Sequence, residues 1–216
     1  MAKGSILAKT HQDLMDKLRH DKRIGKRVMA AMEAIKRHEF VPQTSWHLAY
    51  EDAALSIAKQ QTISQPSLVA YMSEALEIAP THHILEIGTG SGYQSCILAA
   101  LARFVYSVER IKSLHIEAES LFKQRKIANI ATLWGDGLQG WLVHAPFHRI
   151  ILTAASDKPP HGLLEQLAEG GILLYPFGEQ GKIQHLMKIH KLVGGNIREE
   201  NLGKVQFVPI LQGIRQ

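Results

Sequence analysis

Short, mostly apolar runs alternate with longer amphipathic segments between residues 83 and 175. Such short runs are typical of buried strands, whereas apolar residues spaced by three or four are typical of helices. The predicted strands are His83–Ile87, Val105–Glu109, Ala131–Trp134, Arg149–Thr153 and Gly171–Tyr175. The predicted helices between and after them are Ser91–Ala102, Lys112–Arg125 and Gly162–Ala168. This alternation predicts an α/β fold: a doubly wound, mostly parallel sheet with helices on both faces.

The first forty residues follow a helical pattern instead. The segment Thr10–Asp13 is similar to a capping box, and apolar residues at helical spacing follow it in Leu14–Leu18. A second amphipathic stripe lies within Ile24–Ile35. We therefore predict an N-terminal helical extension whose first helix begins near Thr10.

The segment 41–62 lacks clear periodicity and predicts a long ordered loop, with Trp46 and Tyr50 as its anchors. A loop of this length inside a folded chain is usually functional. Directly after it, Ser64–Pro66 begins a predicted helix that ends at Pro80.

Near the C-terminus, the stretches Ile183–Lys191 and Lys204–Ile210 have strand character, with a glycine-rich turn at 194–196 between them. A terminal hairpin of this kind predicts an antiparallel edge on the sheet. Together these patterns divide the chain into two parts. Residues 1–60 form N-terminal helices and an active-site loop packed on the core, and residues 61–216 form a single α/β unit.

Composition narrows the class of protein. Of 216 residues, 45% are hydrophobic and 21% charged, which is typical of a folded globular chain. No apolar run approaches the length of a membrane span, and the first residues do not form a signal peptide, so we expect a cytoplasmic protein without a membrane partner. The net charge is +5, but no aromatic residues interleave with basic ones, so we expect no nucleic-acid partner. The only cysteine, Cys96, excludes an internal disulfide and a cysteine zinc site.

Candidate chemistry lies where the predicted parallel strands end. In such sheets, ligands bind beyond the carboxyl ends of the strands. The first strand leads into the turn Gly88–Gly92, and the second ends at Glu109, an acidic residue about where a ribose diol is held. The third and fourth strands lead into Gly135–Gly137 and Thr153–Ala155. These positions outline one crevice suited to a ligand that contains adenosine.

The spacing of the glycines bears on which ligand this is. The turn reads Gly-x-Gly-x-Gly, with Tyr93 where the dinucleotide fingerprint has its last glycine, which disfavours NAD. Taken alone, the glycines are equally consistent with a simple strand-to-helix turn. Acidic residues at two successive strand ends, Glu109 and Asp136, favour a nucleoside site.

Several segments resemble the family of protein-L-isoaspartate O-methyltransferases. They are Thr62–Pro66, Val69–Met72, Ile84–Gln94, Val108–Ile111, Gly135–Gly137, Gly140–Trp141, Ala145–Phe147, Thr153–Ala155, Glu169–Gly171 and Phe207–Pro209. The resemblance covers most of residues 40–210, in order. The glycine turn and Glu109 are shared with many methyltransferases that use S-adenosylmethionine, whereas Thr62–Pro66 and Phe207–Pro209 are specific to this family.

This resemblance implies methyl transfer from S-adenosylmethionine to the free carboxylate of L-isoaspartyl residues in damaged proteins. The ester then decays through a succinimide, which begins repair, and residues 61–216 form the methyltransferase domain. The implied partners are isoaspartyl-containing proteins and peptides, and we expect a monomer. The implied cofactor contacts are Glu86, Gly88, Thr89, Gly90, Ser91, Glu109, Arg110, Asp136 and Gly137, with Glu109 on the ribose and Asp136 near the adenine. The implied substrate contacts are Thr62, Ile63 and Val208.

Ser64 is the predicted catalytic residue, because the family carries its active-site hydroxyl at this position. By itself, a serine before Gln65-Pro66 is more typical of an ordinary helix N-cap than of a functional residue. A carboxylate acceptor is ionised at neutral pH and needs no general base. We predict no metal site: the pair His144 and His148 encloses Pro146 and is therefore not a helical pair of ligands.

The loop before Ser64 departs from the family pattern. The family reads Ile-Gly-x-Gly, whereas this chain reads Ile57-Ala58-Lys59-Gln60. If those glycines need a positive φ, the loop must differ here. Three alternatives follow: a methyltransferase for another carboxylate or a small molecule, a non-catalytic protein that binds S-adenosylmethionine, and, disfavoured by the glycine spacing, a nicotinamide oxidoreductase.

Overall fold

The computed structural model describes residues 2–216, with side chains from residue 6 onwards. The helices are α1 Ala2–Arg19, α2 Lys26–Ala34, α3 Pro66–Ala75, α4 Tyr93–Leu101, α5 Lys112–Gln124 and α6 His161–Glu165. The strands are β1 Leu55–Ser56, β2 Thr62–Ile63, β3 His83–Ile87, β4 Phe104–Glu109, β5 Ile130–Trp134, β6 Phe147–Leu152, β7 Leu167–Phe177, β8 Gln184–Lys191 and β9 Ile197–Val205. Short 3-10 turns at Arg37–Phe40 and Gln43–Leu48 connect α2 to β1.

A seven-stranded sheet in the order β5-β4-β3-β6-β7-β8-β9 organises the fold. Strands β3 to β7 are parallel, and β8 and β9 are antiparallel to their neighbours. The predicted mostly parallel sheet with an antiparallel C-terminal edge is therefore confirmed. The chain proceeds from β3 outward in one direction and from β6 outward in the other, so the strand order reverses between them. Open α/β sheets bind ligands at this reversal.

The register brings the ends of three strands to one level. Ile87 at the end of β3 pairs with Val108 of β4 on one side and with Leu152 of β6 on the other. From this level the three strands lead into the predicted ligand-binding positions: the turn Gly88–Gly92, Glu109 and Thr153–Ala155. The crevice therefore has a floor made of adjacent strand ends.

The central strands are apolar on both faces because both faces are covered. Ile84 and Ile151 are fully buried on one face and Leu85 and Ile150 on the other, each pair in a separate hydrophobic cluster. This arrangement explains why these strands appear in the sequence as continuous apolar runs rather than as alternating patterns.

The N-terminal helices pack into one of these two clusters. Leu14 and Met15 of α1 and Met32 of α2 are at most 4% exposed and belong to the same cluster as Ile97 of α4. The predicted start of the first helix is wrong, because α1 already includes Thr10, whose hydroxyl donates to the carbonyls of the preceding turn. No helix among residues 2–216 is long and apolar enough to cross a membrane.

The predicted last strand is also wrong. The edge strand β9 spans Ile197–Val205, most of which is exposed and polar, so its sequence shows no apolar signal. The apolar stretch Phe207–Ile210 instead leaves the sheet edge and pairs with Ala155, which donates to Val208 O at 2.8 Å and accepts from Ile210 N at 2.7 Å. The C-terminal segment thereby reaches the carboxyl end of β6.

Candidate active site

A cleft opens at the carboxyl ends of β3, β4 and β6. The turn after β3, strand β2 and the C-terminal segment all contribute residues to its lining. The residues predicted from the sequence that line this cleft are Thr62, Ile63, Ser64, Gly88, Thr89, Gly90, Ser91, Glu109, Arg110, Gly137 and Val208. Two predicted residues, Glu86 and Asp136, do not line it.

The glycine turn presents backbone to the cleft. Gly88 has φ +97, and a Cβ atom there would lie 2.4 Å from the Thr153 hydroxyl, so no larger residue fits. At Gly90, an added Cβ would meet nothing closer than Ile57 Cδ1 at 3.9 Å. A ligand can therefore approach the main chain of this turn directly.

Glu109 joins the glycine turn to the end of β4. Its Oε2 accepts a hydrogen bond from Gly90 N at 2.9 Å, and its Oε1 accepts one from Ile111 N at 2.8 Å. The side chain is nearly buried but lines the cleft. A carboxylate offers about four lone-pair sites, so both oxygens retain capacity to accept hydroxyl groups.

Glu86 lies beneath the turn rather than beside the cleft, which corrects its predicted contact with a cofactor. The side chain is fully buried, and Ser107 and Ser95 both donate to its Oε2, the former at 2.6 Å. The Ser107 hydroxyl also lies 2.6 Å from the hydroxyl of Thr89, in the turn itself. Burial raises the pKa of Glu86 to about 7. Glu86 thus supports the turn through a buried chain of hydroxyl groups.

Asp136 faces the C-terminal segment and is not among the residues that line the cleft, although its neighbour Gly137 is; its place near the adenine stays a prediction. Its Oδ1 accepts from Leu138 N at 3.0 Å and its Oδ2 from Gly213 N at 2.7 Å. Arg110 Nε donates to Gly213 O at 3.0 Å, so both residues hold this segment in place. Leu211, within the segment, lines the cleft, a role that no sequence motif indicated.

Ser64 is not a helix N-cap. Gln65 occupies the N-cap position of α3, and the carboxylate of Asp52 accepts a hydrogen bond from Ser67 N at 2.9 Å in the first turn. Ser64 lines the cleft, and its hydroxyl has no hydrogen-bond partner among the residues that the structure describes. That hydroxyl is therefore available to a ligand.

The altered segment before Ser64 forms the tip of the β1–β2 hairpin, and its backbone is strained. Lys59 and Gln60 have φ values of 59° and 60°, in the left-handed region that favours glycine. Gln60 stands where the family pattern has its second glycine. Ile57 N donates to Gln61 O at 2.8 Å and closes the hairpin. The backbone conformation that suits a glycine is therefore kept, at a cost in strain.

The end of β6 offers no acid or base to the cleft. Thr153 and Ala154 line it, and the Thr153 hydroxyl donates to Gly88 O at 2.7 Å. No group of three His, Cys, Asp or Glu side chains in the described chain is arranged to hold a metal ion. The chemistry that suits this cleft is transfer to an acceptor that is already nucleophilic.

Comparison with known proteins identifies the family. The model of the protein-L-isoaspartate(D-aspartate) O-methyltransferase (PCMT) family matches residues 9–215. A protein-L-isoaspartate O-methyltransferase of Pectobacterium carotovorum is 44% identical over 208 residues, covering 96% of this chain and 99% of the relative. One of Roseobacter denitrificans is 47% identical over 189 residues, covering 88% of each chain.

This chain belongs to the protein-L-isoaspartate O-methyltransferase family. The resemblance inferred from the sequence is thereby confirmed. The fold agrees: a structure of a beta-aspartate methyltransferase from Plasmodium falciparum, solved with S-adenosyl-L-homocysteine, has a TM-score of 0.79 at 24% identity, covering 93% of this chain and 98% of that one. Every segment that lines the cleft lies within the matched part of this methyltransferase.

Replacing Glu86 by glutamine tests the buried carboxyl beneath the turn. Because the pKa of Glu86 is raised from 4.5 to about 7, the unfolded chain loses this proton first, and the folded state loses stability as pH rises through that range. The Glu86→Gln variant cannot ionise, so its free energy of unfolding relative to wild type should rise by on the order of 3 kcal/mol from pH 4.5 to 8. Urea unfolding across this range measures the difference. A difference that is independent of pH contradicts this account.

Replacing Gln60 by glycine tests the strain in the hairpin. Glycine adopts the left-handed conformation without the cost of roughly 1–2 kcal/mol that a residue with a Cβ atom bears. Its greater loss of chain entropy on folding offsets about 0.5–1 kcal/mol of this gain. We expect the free energy of unfolding to rise by about 0.5–1 kcal/mol. Gln61→Gly is the matched control, since Gln61 has φ −98 and should only lose stability. Equal destabilisation by both substitutions, measured by chemical unfolding, would show that the tip is not strained.

Proposed function

We propose that this chain transfers a methyl group from S-adenosylmethionine to the free carboxylate of L-isoaspartyl residues in damaged proteins, and so begins their repair. The observation that carries the proposal is that Ser64, whose hydroxyl has no hydrogen-bond partner among the described residues, lines the same cleft as the glycine turn and Glu109. Membership of the family supports this choice of acceptor.

The residues of the cleft fit the cofactor. Glu109 has carboxylate oxygens available to accept the ribose hydroxyls, and the open backbone at Gly90 suits the methionine portion. Apolar residues of the C-terminal segment, including Leu211, cover the cleft. When bound, S-adenosylmethionine supplies a methyl group on a positively charged sulfur. We propose Gly88, Thr89, Ser91, Arg110 and Gly137 as further contacts, because all of them line the same cleft.

The acceptor needs positioning rather than activation. An isoaspartyl carboxylate is already ionised near neutral pH, which agrees with the absence of a base on the cleft-lining residues Thr153 and Ala154. A hydrogen bond donated by the Ser64 hydroxyl orients one carboxylate oxygen. Thr62, Ile63 and Val208 line the same side and are proposed to contact the substrate. Holding two reactants in line lowers a barrier by up to about 7–11 kcal/mol.

The strained hairpin favours one alternative acceptor class. Ala58 and Gln60 stand where the family pattern has glycines, and Lys59 lies between them, shortly before β2. Such a change suits a methyltransferase for a different carboxylate or for a small molecule. A non-catalytic protein that only binds the cofactor would bind S-adenosylhomocysteine but show no turnover.

We further propose that the enzyme acts as a cytoplasmic monomer on proteins and peptides rather than on nucleic acid or membranes. The single cysteine, Cys96, is buried and cannot form an internal disulfide, which suits a reducing compartment. Analytical ultracentrifugation of the purified chain tests the oligomeric state, and a sedimentation coefficient matching a dimer would contradict this part.

A pair of peptides that differ only in one linkage tests the function. With labelled methyl donor, a peptide with an L-isoaspartyl residue should be methylated, and its normal aspartyl twin should react at least about 100-fold more slowly, because only the former offers the correctly spaced carboxylate. Equal labelling of both peptides would point to another carboxylate as the substrate. Calorimetric binding of S-adenosylhomocysteine without labelling of either would point to a non-catalytic protein.

The variant Ser64→Ala tests the acceptor-orienting hydroxyl. Loss of a hydrogen bond to a charged group removes roughly 1.5–3 kcal/mol, so kcat/KM on the isoaspartyl peptide should fall by about 10- to 100-fold. Binding of S-adenosylhomocysteine should stay unchanged. Ser120→Ala, on the exposed side of α5 and outside the cleft lining, is the control. Full activity of Ser64→Ala would refute the role of this hydroxyl.

A further inference from the structure

Arg37, in the 3-10 turn that follows α2, is buried and is not among the residues that line the cleft. The side chain is 1% exposed, yet its guanidinium makes good hydrogen bonds to backbone carbonyls. Nη1 donates to Ala49 O at 2.6 Å, and Nη2 donates to Ala53 O and to Ser64 O, both at 3.0 Å. One side chain therefore joins two points of the long loop before β1 to the residue that faces the acceptor.

Among the described residues, Asp52 acts on the charge of Arg37 without forming an ion pair with it. No ion pair in the described part of the chain includes Arg37, and its Nε has no hydrogen-bond partner there. Burial lowers the pKa of Arg37, although Tyr93 and Asp52 oppose this shift. Asp52 itself is engaged by Ser67 N and Lys17. A positive charge is thus kept out of water directly behind the Ser64 main chain.

The contacts on either side of Ser64 show what this arrangement fixes. The Ser64 carbonyl is held by Arg37, and the amide of Ser67 is held by Asp52. In the chain, Asp52 lies between Ala49 and Ala53, whose carbonyls accept the other two hydrogen bonds of Arg37. Since Ser64 belongs to neither a helix nor a strand, these side chains hold the main chain from which its hydroxyl extends.

We propose that Arg37 is the positioning residue for the acceptor half of the site. It holds the Ser64 main chain so that the hydroxyl points into the cleft, and its unneutralised charge favours a carboxylate bound there. This inference rests on the proposed function for the identity of the acceptor. A guanidinium suits the task because its planar fork reaches several carbonyls at once, which an ammonium group cannot do.

Arg149 provides a matched control within the same chain. It is also buried, at 9% exposure, and its guanidinium donates to the carbonyls of Leu76, His148 and Glu77. These contacts lie towards the amino end of β6, away from the cleft. Replacing either arginine by lysine removes a comparable set of hydrogen bonds to carbonyls, but only Arg37→Lys changes the support of Ser64.

The experiment compares Arg37→Lys and Arg149→Lys in the full chain by three measurements. For Arg37→Lys, kcat/KM on the isoaspartyl peptide should fall by about 10- to 100-fold, while the dissociation constant for S-adenosylhomocysteine stays within about twofold of wild type. Hydrogen–deuterium exchange should accelerate in residues 49–64. For Arg149→Lys, kcat/KM should stay within about threefold, with faster exchange only around its own partners.

Two results would overturn the proposal: exchange in residues 49–64 and kcat/KM both unchanged in Arg37→Lys, or an equal loss of kcat/KM in Arg149→Lys. If the wild-type chain does not methylate the peptide, the proposed function fails, whereas the exchange measurement still decides whether Arg37 holds the Ser64 segment. If Arg37→Lys does not fold, Arg37→Ala replaces it. Addition of guanidinium chloride at a low, non-denaturing concentration should then slow exchange in 49–64, and no slowing would contradict the proposal.

Discussion

The carboxylate of Glu109 is the interaction on which the cofactor half of the cleft depends. It accepts hydrogen bonds from Gly90 in the turn after β3 and from Ile111 just after β4. Two adjacent strand ends are thereby locked together at the level where the strand order of the sheet reverses. Because the side chain also lines the cleft, the group that fixes the turn is the same group that can hold a ribose diol. From below, Glu86 supports the turn through Ser107 and Thr89.

The acceptor half is built differently. Its residues lie on a two-stranded hairpin, on the short segment around Ser64 and on the C-terminal segment, none of which belongs to the central sheet. Side chains that bind backbone groups hold these segments in place. Arg37 and Asp52 hold the segment around Ser64, and Asp136 holds the C-terminal segment. In the proposed site, rigid strand ends would hold the cofactor and loops would hold the substrate. Sequence changes at the hairpin tip can therefore alter the acceptor while the cofactor half stays intact.

The sequence predicted the central sheet well, because buried parallel strands are continuous apolar runs. Strand β3, for example, has its predicted bounds. Of the 13 predicted site residues, 11 line the cleft, and those around the glycine turn directly follow the end of a strand. The prediction failed at the edge strand β9, whose polar residues carry no apolar signal. It also misplaced Glu86, because a carboxyl buried with two serines looks in sequence like any acidic residue near a glycine turn. The hydrogen bonds of Arg37 could not be predicted from the sequence, since its partners lie 12 to 27 residues away and are backbone atoms.

A crystal structure of the chain with S-adenosylhomocysteine and an isoaspartyl peptide tests the central claim most directly. The account predicts ribose hydroxyls within hydrogen-bond distance of the Glu109 carboxylate and the peptide carboxylate on the Ser64 hydroxyl, with the sulfur between the two halves. A nucleoside bound away from Glu109, or a peptide carboxylate held without Ser64, would contradict it.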